Sequence, residues 1–178
     1  EAAILRALSM QNRRELDNRP SRVEARAIIN LLRRQDELDP IGISMLALAA
    51  RDYGLSDEAL QMLRLLEVAA LRNEDGTVSW PAAQNGFWKG NAVESTVWAV
   101  NALISVDSGN ALIEPAINYI LSQQQSHSGW GSGRCNVLVA RTLADYIELN
   151  GDATANLSWR GFLNDNPLMD LELNRSNL

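Results

Sequence analysis

The 178-residue chain has one cysteine, Cys135, and one histidine, His127. A lone cysteine permits no internal disulfide, so Cys135 is either a small buried hydrophobe or a free thiol. No apolar run approaches the roughly 18 to 20 residues that span a bilayer, and Glu1-Ala2-Ala3-Ile4 lacks the basic stretch and apolar core of a secretory signal. No membrane span is expected in this segment. The chain opens without Met, in what reads as the middle of a helix, as an excised piece of a longer protein would. Glycine and proline are sparse, at 11 and 5, with 46% apolar and 21% charged residues, which excludes collagen-like, low-complexity and disordered classes. Positive charge is short as well: the net charge is −6, although residues 1–38 carry 8 Arg against 6 acids. An acidic chain is a poor partner for a phosphate backbone, so no nucleic-acid partner is expected.

What the chain does have is helical period. Its length suits one domain with a small appendage. Residues 2–8, 43–50, 95–103 and 136–144 are apolar nearly all round, as buried inner helices are. They alternate with residues 21–35 (Val23, Ala27, Ile28, Leu31, Leu32), 57–72 (Leu60, Leu63, Leu66, Ala70) and 111–125 (Leu112, Ala116, Ile117, Ile120, Leu121). There the apolar positions recur at three and four, which predicts amphipathic outer helices. Asp39-Pro40 is an N-cap with proline at the first helical position, Asn91 with Glu94 resembles a capping box, and Ser56-Asp57-Glu58 suits a first turn. Gly54, Gly76, Gly109 and Gly151 stand where helices should stop. Leu48, Leu103 and Leu143 mark a two-helix repeat of uneven loop length. The longest loop, about residues 73–90, holds Trp80, Phe87 and Trp88. After Gly151 the period changes to alternation around Asn164-Asp165-Asn166-Pro167, which predicts a β-hairpin. Two strands alone are marginal in water, so the hairpin should pack on the helices or belong to a neighbouring β-domain.

Such helix pairs stack into an open solenoid or close into an α/α-toroid, and period alone does not choose. Particular residues do. Gly129-Trp130-Gly131-Ser132, leading into the helical run Asn136 to Tyr146, resembles the end of the thioester domain in the α2-macroglobulin and complement family. Gly133, Arg134, Cys135 and Asn136 stand where that family's motif continues Thr-Gln-Asp-Thr. Asp75-Gly76-Thr77-Val78-Ser79-Trp80 resembles the family's aspartate-glycine loop. Glu94-Ser95-Thr96, within Val93 to Leu103, resembles its Glu-Thr-Thr inner helix, and Asp39-Pro40 leading to Leu46-Ala47-Leu48-Ala49 is similar to the preceding inner helix. The likeness covers about residues 39–150 in unbroken order.

The resemblance implies an all-α fold, an α/α-toroid of terpenoid-cyclase-like type with a short C-terminal β-hairpin. Residues 1–150 would be part of the toroid, and 151–178 a hairpin leading into a β-sandwich domain. It implies a bait-and-trap protease inhibitor, acting outside the cytoplasm, whose partners are proteases met through the full-length parent and the other domains of the same chain. Gly129, Trp130, Gly131, Ser132, Asp75, Gly76, Trp80, Glu94, Ser95 and Thr96 would be structural residues of the family motifs. The family's thioester forms in a Cys-x-Glu-Gln motif that this chain lacks: Asn136, Val137 and Leu138 follow Cys135, so Cys135 does not inherit that role.

Toroids also serve terpenoid cyclases and prenyltransferases, so an enzyme is one alternative. Class II cyclases protonate an alkene with Asp-x-Asp-Asp, which is absent; Asp36, Glu37 and Asp39 belong to a helix start. Prenyltransferases hold zinc through Asp, Cys and His, but His127 and Cys135 lie in unrelated contexts. No catalytic residue, metal or cofactor is expected. Gln123-Gln124-Gln125 followed by Gly129-Trp130 resembles the QW motif of triterpene cyclases, itself a structural tie between helix ends. Trp80, Phe87, Trp88, Trp98 and Trp130 suit packing at loop-to-helix junctions more than a ligand cavity. His127 sits in a polar loop and should be exposed. The arginines Arg13, Arg14, Arg19, Arg22, Arg26, Arg33 and Arg34 are interleaved with Glu15, Asp17 and Glu24, as on a solvated face. A non-catalytic helical scaffold that binds a protein partner is the second alternative.

Overall fold

A computed structural model of the chain describes residues 1–14, 20–83, 91–150, 157–163 and 166–173, with side chains described for 1–11, 20–83 and 91–150. Among the described residues there are seven α-helices and two small antiparallel hairpins. In chain order they are α1 (Ala2–Arg14), α2 (Arg22–Arg33), α3 (Pro40–Asp52), α4 (Ser56–Ala69), β1 (Leu71–Arg72), β2 (Val78–Ser79), α5 (Ala92–Val106), α6 (Ile113–Ser122), α7 (Gly133–Asn150), β3 (Leu157–Leu163) and β4 (Asn166–Leu173). The chain divides into two compact units, Glu1–Leu143 and Ala144–Leu178.

In the first unit, α1, α3 and α5 pack side by side, and α2, α4 and α6 each pack on the helix before them. Hydrogen bonds from Arg134 to Glu94 and from Thr142 to Asn101 tie α7 to α5. The alternation expected from period is therefore present, with a difference at the ends of the row. In α3 every residue from Ile43 to Ala50 is buried, and α5 is nearly as enclosed. The outer members of the row are buried on one side only. Ala2, Leu5 and Ser9 of α1 are buried while Ile4 is 65% exposed; Cys135, Val139 and Thr142 of α7 are buried while Val137 is 69% exposed. A helix flanked on both sides needs apolar residues all round, whereas α1 and α7 have a described neighbour on one side.

The outer helices bury one stripe each: Ala59, Met62, Leu63 and Leu66 on α4, and Ile113, Ala116, Ile117 and Ile120 on α6. Each large apolar side chain so buried contributes about 1.5–3 kcal/mol. Val23, Leu60 and Leu121, expected in these stripes, lie off them and are 80%, 41% and 46% exposed. On α2 the stripe is Glu24, Ile28 and Leu31. Glu24 sits in it because Tyr53 donates its hydroxyl to the carboxylate at 2.7 Å.

Caps mark the helix ends. Asp39 accepts Gly42 N–H at 2.8 Å with Pro40 at the first helical position, as the sequence predicts. A complete capping box belongs to Ser21 and Glu24, not to Asn91 and Glu94. Asn91 does cap α5, accepting Glu94 N–H at 2.8 Å, but the Glu94 carboxylate pairs with Arg134. Ser56 is the first residue of α4, whose N-cap Leu55 makes no side-chain cap bond. At the end of α3, Gly54 takes φ +74, so that Leu55 N–H reaches Ala50 O and Gly54 N–H reaches Arg51 O. Gly109 follows the end of α5 as expected, whereas Gly76 lies at the tip of the β1–β2 hairpin rather than at a helix end. Gly151, Phe87 and Trp88 lie outside the described residues.

In the second unit, β3 and β4 pair antiparallel from Leu157 opposite Leu173 to Leu163 opposite Asn166, with an irregularity between Gly161 and Phe162. The tail is thus the expected hairpin, although Asn166 and Pro167 belong to β4 rather than to the turn. The division between the two compact units, at Leu143, falls inside α7. Gly151 follows the last residue of α7, and none of residues 144–150 is buried.

Candidate functional site

The motif residues converge at two joints, where an outer helix hands the chain to an inner one. A helix leaves its last four carbonyls without partners. At the first joint, Trp80 follows β2, and its indole Nε1 donates to Leu66 O, in the last turn of α4, at 2.7 Å. Its backbone N–H donates to Thr96 Oγ1 of α5 at 3.1 Å, and that hydroxyl donates to Ala92 O at 2.7 Å. Trp80 and Thr96 are completely buried.

The second joint repeats this with other neighbours. Trp130 Nε1 donates to Ile120 O, in the last turn of α6, at 2.6 Å. Its backbone N–H donates to Asn136 Oδ1 of α7 at 2.7 Å. Gly129 pairs with Gln125 through Gln125 N to Gly129 O at 2.7 Å and Gly129 N to Gln125 O at 3.1 Å, and takes φ +62. A Cβ there would stand 2.8 Å from Asn136 Oδ1, so glycine is what lets the asparagine reach the Trp130 amide. Gly131 has φ +94, and Ser132 caps α7 by accepting Cys135 N–H at 3.1 Å. Gly129, Trp130 and Ser132 thus each contribute a hydrogen bond to this joint.

Asp75 and Gly76 stand apart from this convergence. They form the tip of the β1–β2 hairpin, in a stretch that period alone leaves as loop, and Asp-Gly is the signal for such a turn. Asp75 Oδ1 accepts the Thr77 hydroxyl at 2.7 Å and its amide at 2.9 Å, which holds the carboxyl below its ordinary pKa.

Between the joints, at the first turns of α5 and α7, lie Glu94, Ser95, Arg134 and Cys135. Glu94 is buried and receives Arg134 Nη2 at 2.7 Å. Its position in the first turn of α5 suits a negative charge. Ser95 is completely buried, and its Oγ has no hydrogen-bond partner among the described residues. Cys135 is buried and free. Burial, then the charge of Glu94, pushes its thiol pKa up, with Arg134 opposing. Such a thiol stays protonated at neutral pH and is a poor nucleophile. His127 is exposed in the turn between Gln125 and Gly129. Among the described residues no three of His, Cys, Asp and Glu come together as a metal site, and no helix is long and apolar enough to cross a membrane.

Trp98, expected in the core, is only half-buried, and the fully enclosed indole is Trp80. Arg134 and Asn136, which depart from the family motif, turn out to hold Glu94 and the Trp130 amide. A polar residue inside the apolar run of α7 is the signal that could have pointed to Asn136. Arg13, Arg14 and Arg19 have no described side chains; Arg34 makes an exposed pair with Glu37. Comparison with protein-family models, with curated proteins and with solved structures finds no match to this chain.

Proposed function

We propose that this chain is the C-terminal portion of the thioester domain of an α2-macroglobulin-like protease inhibitor, with a shielding and structural role and no thioester of its own. The observation that carries the reading is the repeated tryptophan joint. The motif residues that resemble the family, Trp80 with Thr96 and Gly129 to Ser132, are the ones that lock an outer helix to the next inner helix.

On this reading residues 1–150 are part of an α/α-toroid, and residues 151–178 lead into a β-sandwich domain. The parent works outside the cytoplasm by bait and trap: a protease cuts a bait region, the molecule closes around it, and the exposed thioester acylates a nucleophile. A thioester must be kept from water until then, and a wall whose helix ends are tied by buried hydrogen bonds resists local opening. Cys135 belongs to that wall. It is buried, its thiol is held protonated, and no glutamine follows to close a thioester.

The test uses the full-length parent, obtained by extending the reading frame upstream of Glu1. It is treated with methylamine and read by mass spectrometry at a Cys-x-Glu-Gln site, then mixed with a protease whose activity is followed on small and large substrates. Methylamine addition, with cleavage of small substrates retained and of large ones lost, is the expected result. No addition and no trapping would overturn the reading and leave a helical scaffold.

A further inference from the structure

Several arginines of the first unit have a carboxylate: Arg6 and Arg51 meet Asp52, Arg34 meets Glu37, and Arg134 meets Glu94. Arg22, Arg26 and Arg33 make no hydrogen bond or ion pair among the described residues, and all three are exposed on one helix, α2. At the helical period they fall in one narrow stripe, roughly 17 Å long, opposite the buried stripe of Glu24, Ile28 and Leu31. Val23 and Ile29, 80% and 50% exposed, flank the arginines on either side. In the sequence Glu24 stands among these arginines, but the fold turns it inward onto the Tyr53 hydroxyl, so the outward face of α2 holds no acid.

Folding does not account for this face. Arg22 opens α2, where the helix dipole disfavours a positive charge, and Arg26 stands one turn on, at the like-charge spacing that weakens a helix. Arg33, in the last turn, is the one that suits its place. Val23 leaves most of its side chain in water and adds little to the core.

Guanidinium forks pair with carboxylates through two N–H bonds, and the aliphatic side chains beside them are covered only by apolar groups. A phosphate backbone offers no such cover, and a net charge of −6 repels the dense charge of a nucleic acid. A membrane takes up the bulky apolar face of a helix, but on α2 Ile28 and Leu31 point inward. We propose that the outward face of α2, Arg22, Arg26 and Arg33 with Val23 and Ile29, docks an acidic polypeptide segment whose carboxylates are interspersed with aliphatic side chains. This surface is independent of the inhibitor reading above, and either can fail without the other.

The experiment is fluorescence anisotropy of a fluorescein-labelled peptide of about 16 residues, repeating Glu-Glu-Leu-Ala and long enough as a helix to span the stripe. The 178-residue chain is titrated into it at ~50 mM salt. Saturable binding is expected. Arg22→Gln, Arg26→Gln and Arg33→Gln should each weaken it roughly threefold, and the three together about thirtyfold. Val23→Ser should also weaken it roughly threefold. Arg64→Gln, on the exposed side of α4, should leave it unchanged. Every substituted side chain is exposed, and thermal midpoints equal to that of the unaltered chain verify that the variants fold. Absence of saturable binding, equal affinity in the triple variant, or tighter binding of duplex DNA or phosphatidylglycerol vesicles than of the peptide overturns the proposal.

Discussion

The two joints make the same pair of bonds in different surroundings. Trp80 is fully enclosed, between α4, α5 and the β1–β2 hairpin; Trp130 is half-buried, beside an exposed polar turn. What repeats is the pair of bonds: an indole N–H on the last turn of an outer helix, and a backbone N–H on a side chain in the first turns of the next inner helix. The amount of apolar surface buried does not repeat. The joint is thus defined by its polar geometry, and its strength is set by what packs around it.

Truncation separates these contributions, and the largest effect is expected at the enclosed joint. Trp80→Ala should cost about 3–5 kcal/mol in denaturant unfolding, because it removes a buried indole and strands Leu66 O. Trp130→Ala should cost distinctly less; equal losses would mean that burial does not distinguish the joints. Gly129→Ala should destabilise by about 1–3 kcal/mol, since alanine must hold positive φ and displace Asn136. A loss below the error of a denaturation curve would show that Asn136 gives way at no cost. At the first joint Thr96→Val leaves the Trp80 amide buried without its acceptor, for about 1–2 kcal/mol.

The smallest effect is a pH dependence. The Cys135 thiol has a pKa raised above its ordinary value of 9.0 in the fold, so its contribution is whole below that value. As pH rises through it the unfolded chain ionises first, and stability falls until the folded thiol titrates too. Cys135→Ala should remove that alkaline decline, seen as unfolding midpoints that no longer separate between pH 8 and pH 10. Persistence of the full decline in the variant would assign it to other groups.

Much of this architecture is legible in the sequence because period reports burial directly. Ala59, Leu63 and Leu66 fall three or four apart, and so do Ile113, Ala116, Ile117 and Ile120. The joints are legible only as motifs. The indole bonds reach back 14 residues from Trp80 and 10 from Trp130, and no local pattern encodes such a reach. The exposure of Ile4 and Val137 is not legible either. A run that is apolar all round describes what a helix could bury, whereas actual burial depends on which neighbours flank it. Trp98 fails for a related reason: it interrupts a run of buried residues on α5 without being enclosed itself. The Arg6–Asp52 pair joins residues 46 apart, and neither partner stands out in its own segment.

The most direct test of the joint is hydrogen exchange at the indole N–H groups, resolved by NMR. The Trp80 and Trp130 indole protons should exchange far more slowly than that of Trp98, with Trp80 the slowest. Exchange of the Trp80 and Trp130 indoles as fast as that of Trp98 would mean that the bonds to Leu66 O and Ile120 O do not hold in solution. The tie between outer and inner helices, and the functional reading built on it, would fall with them.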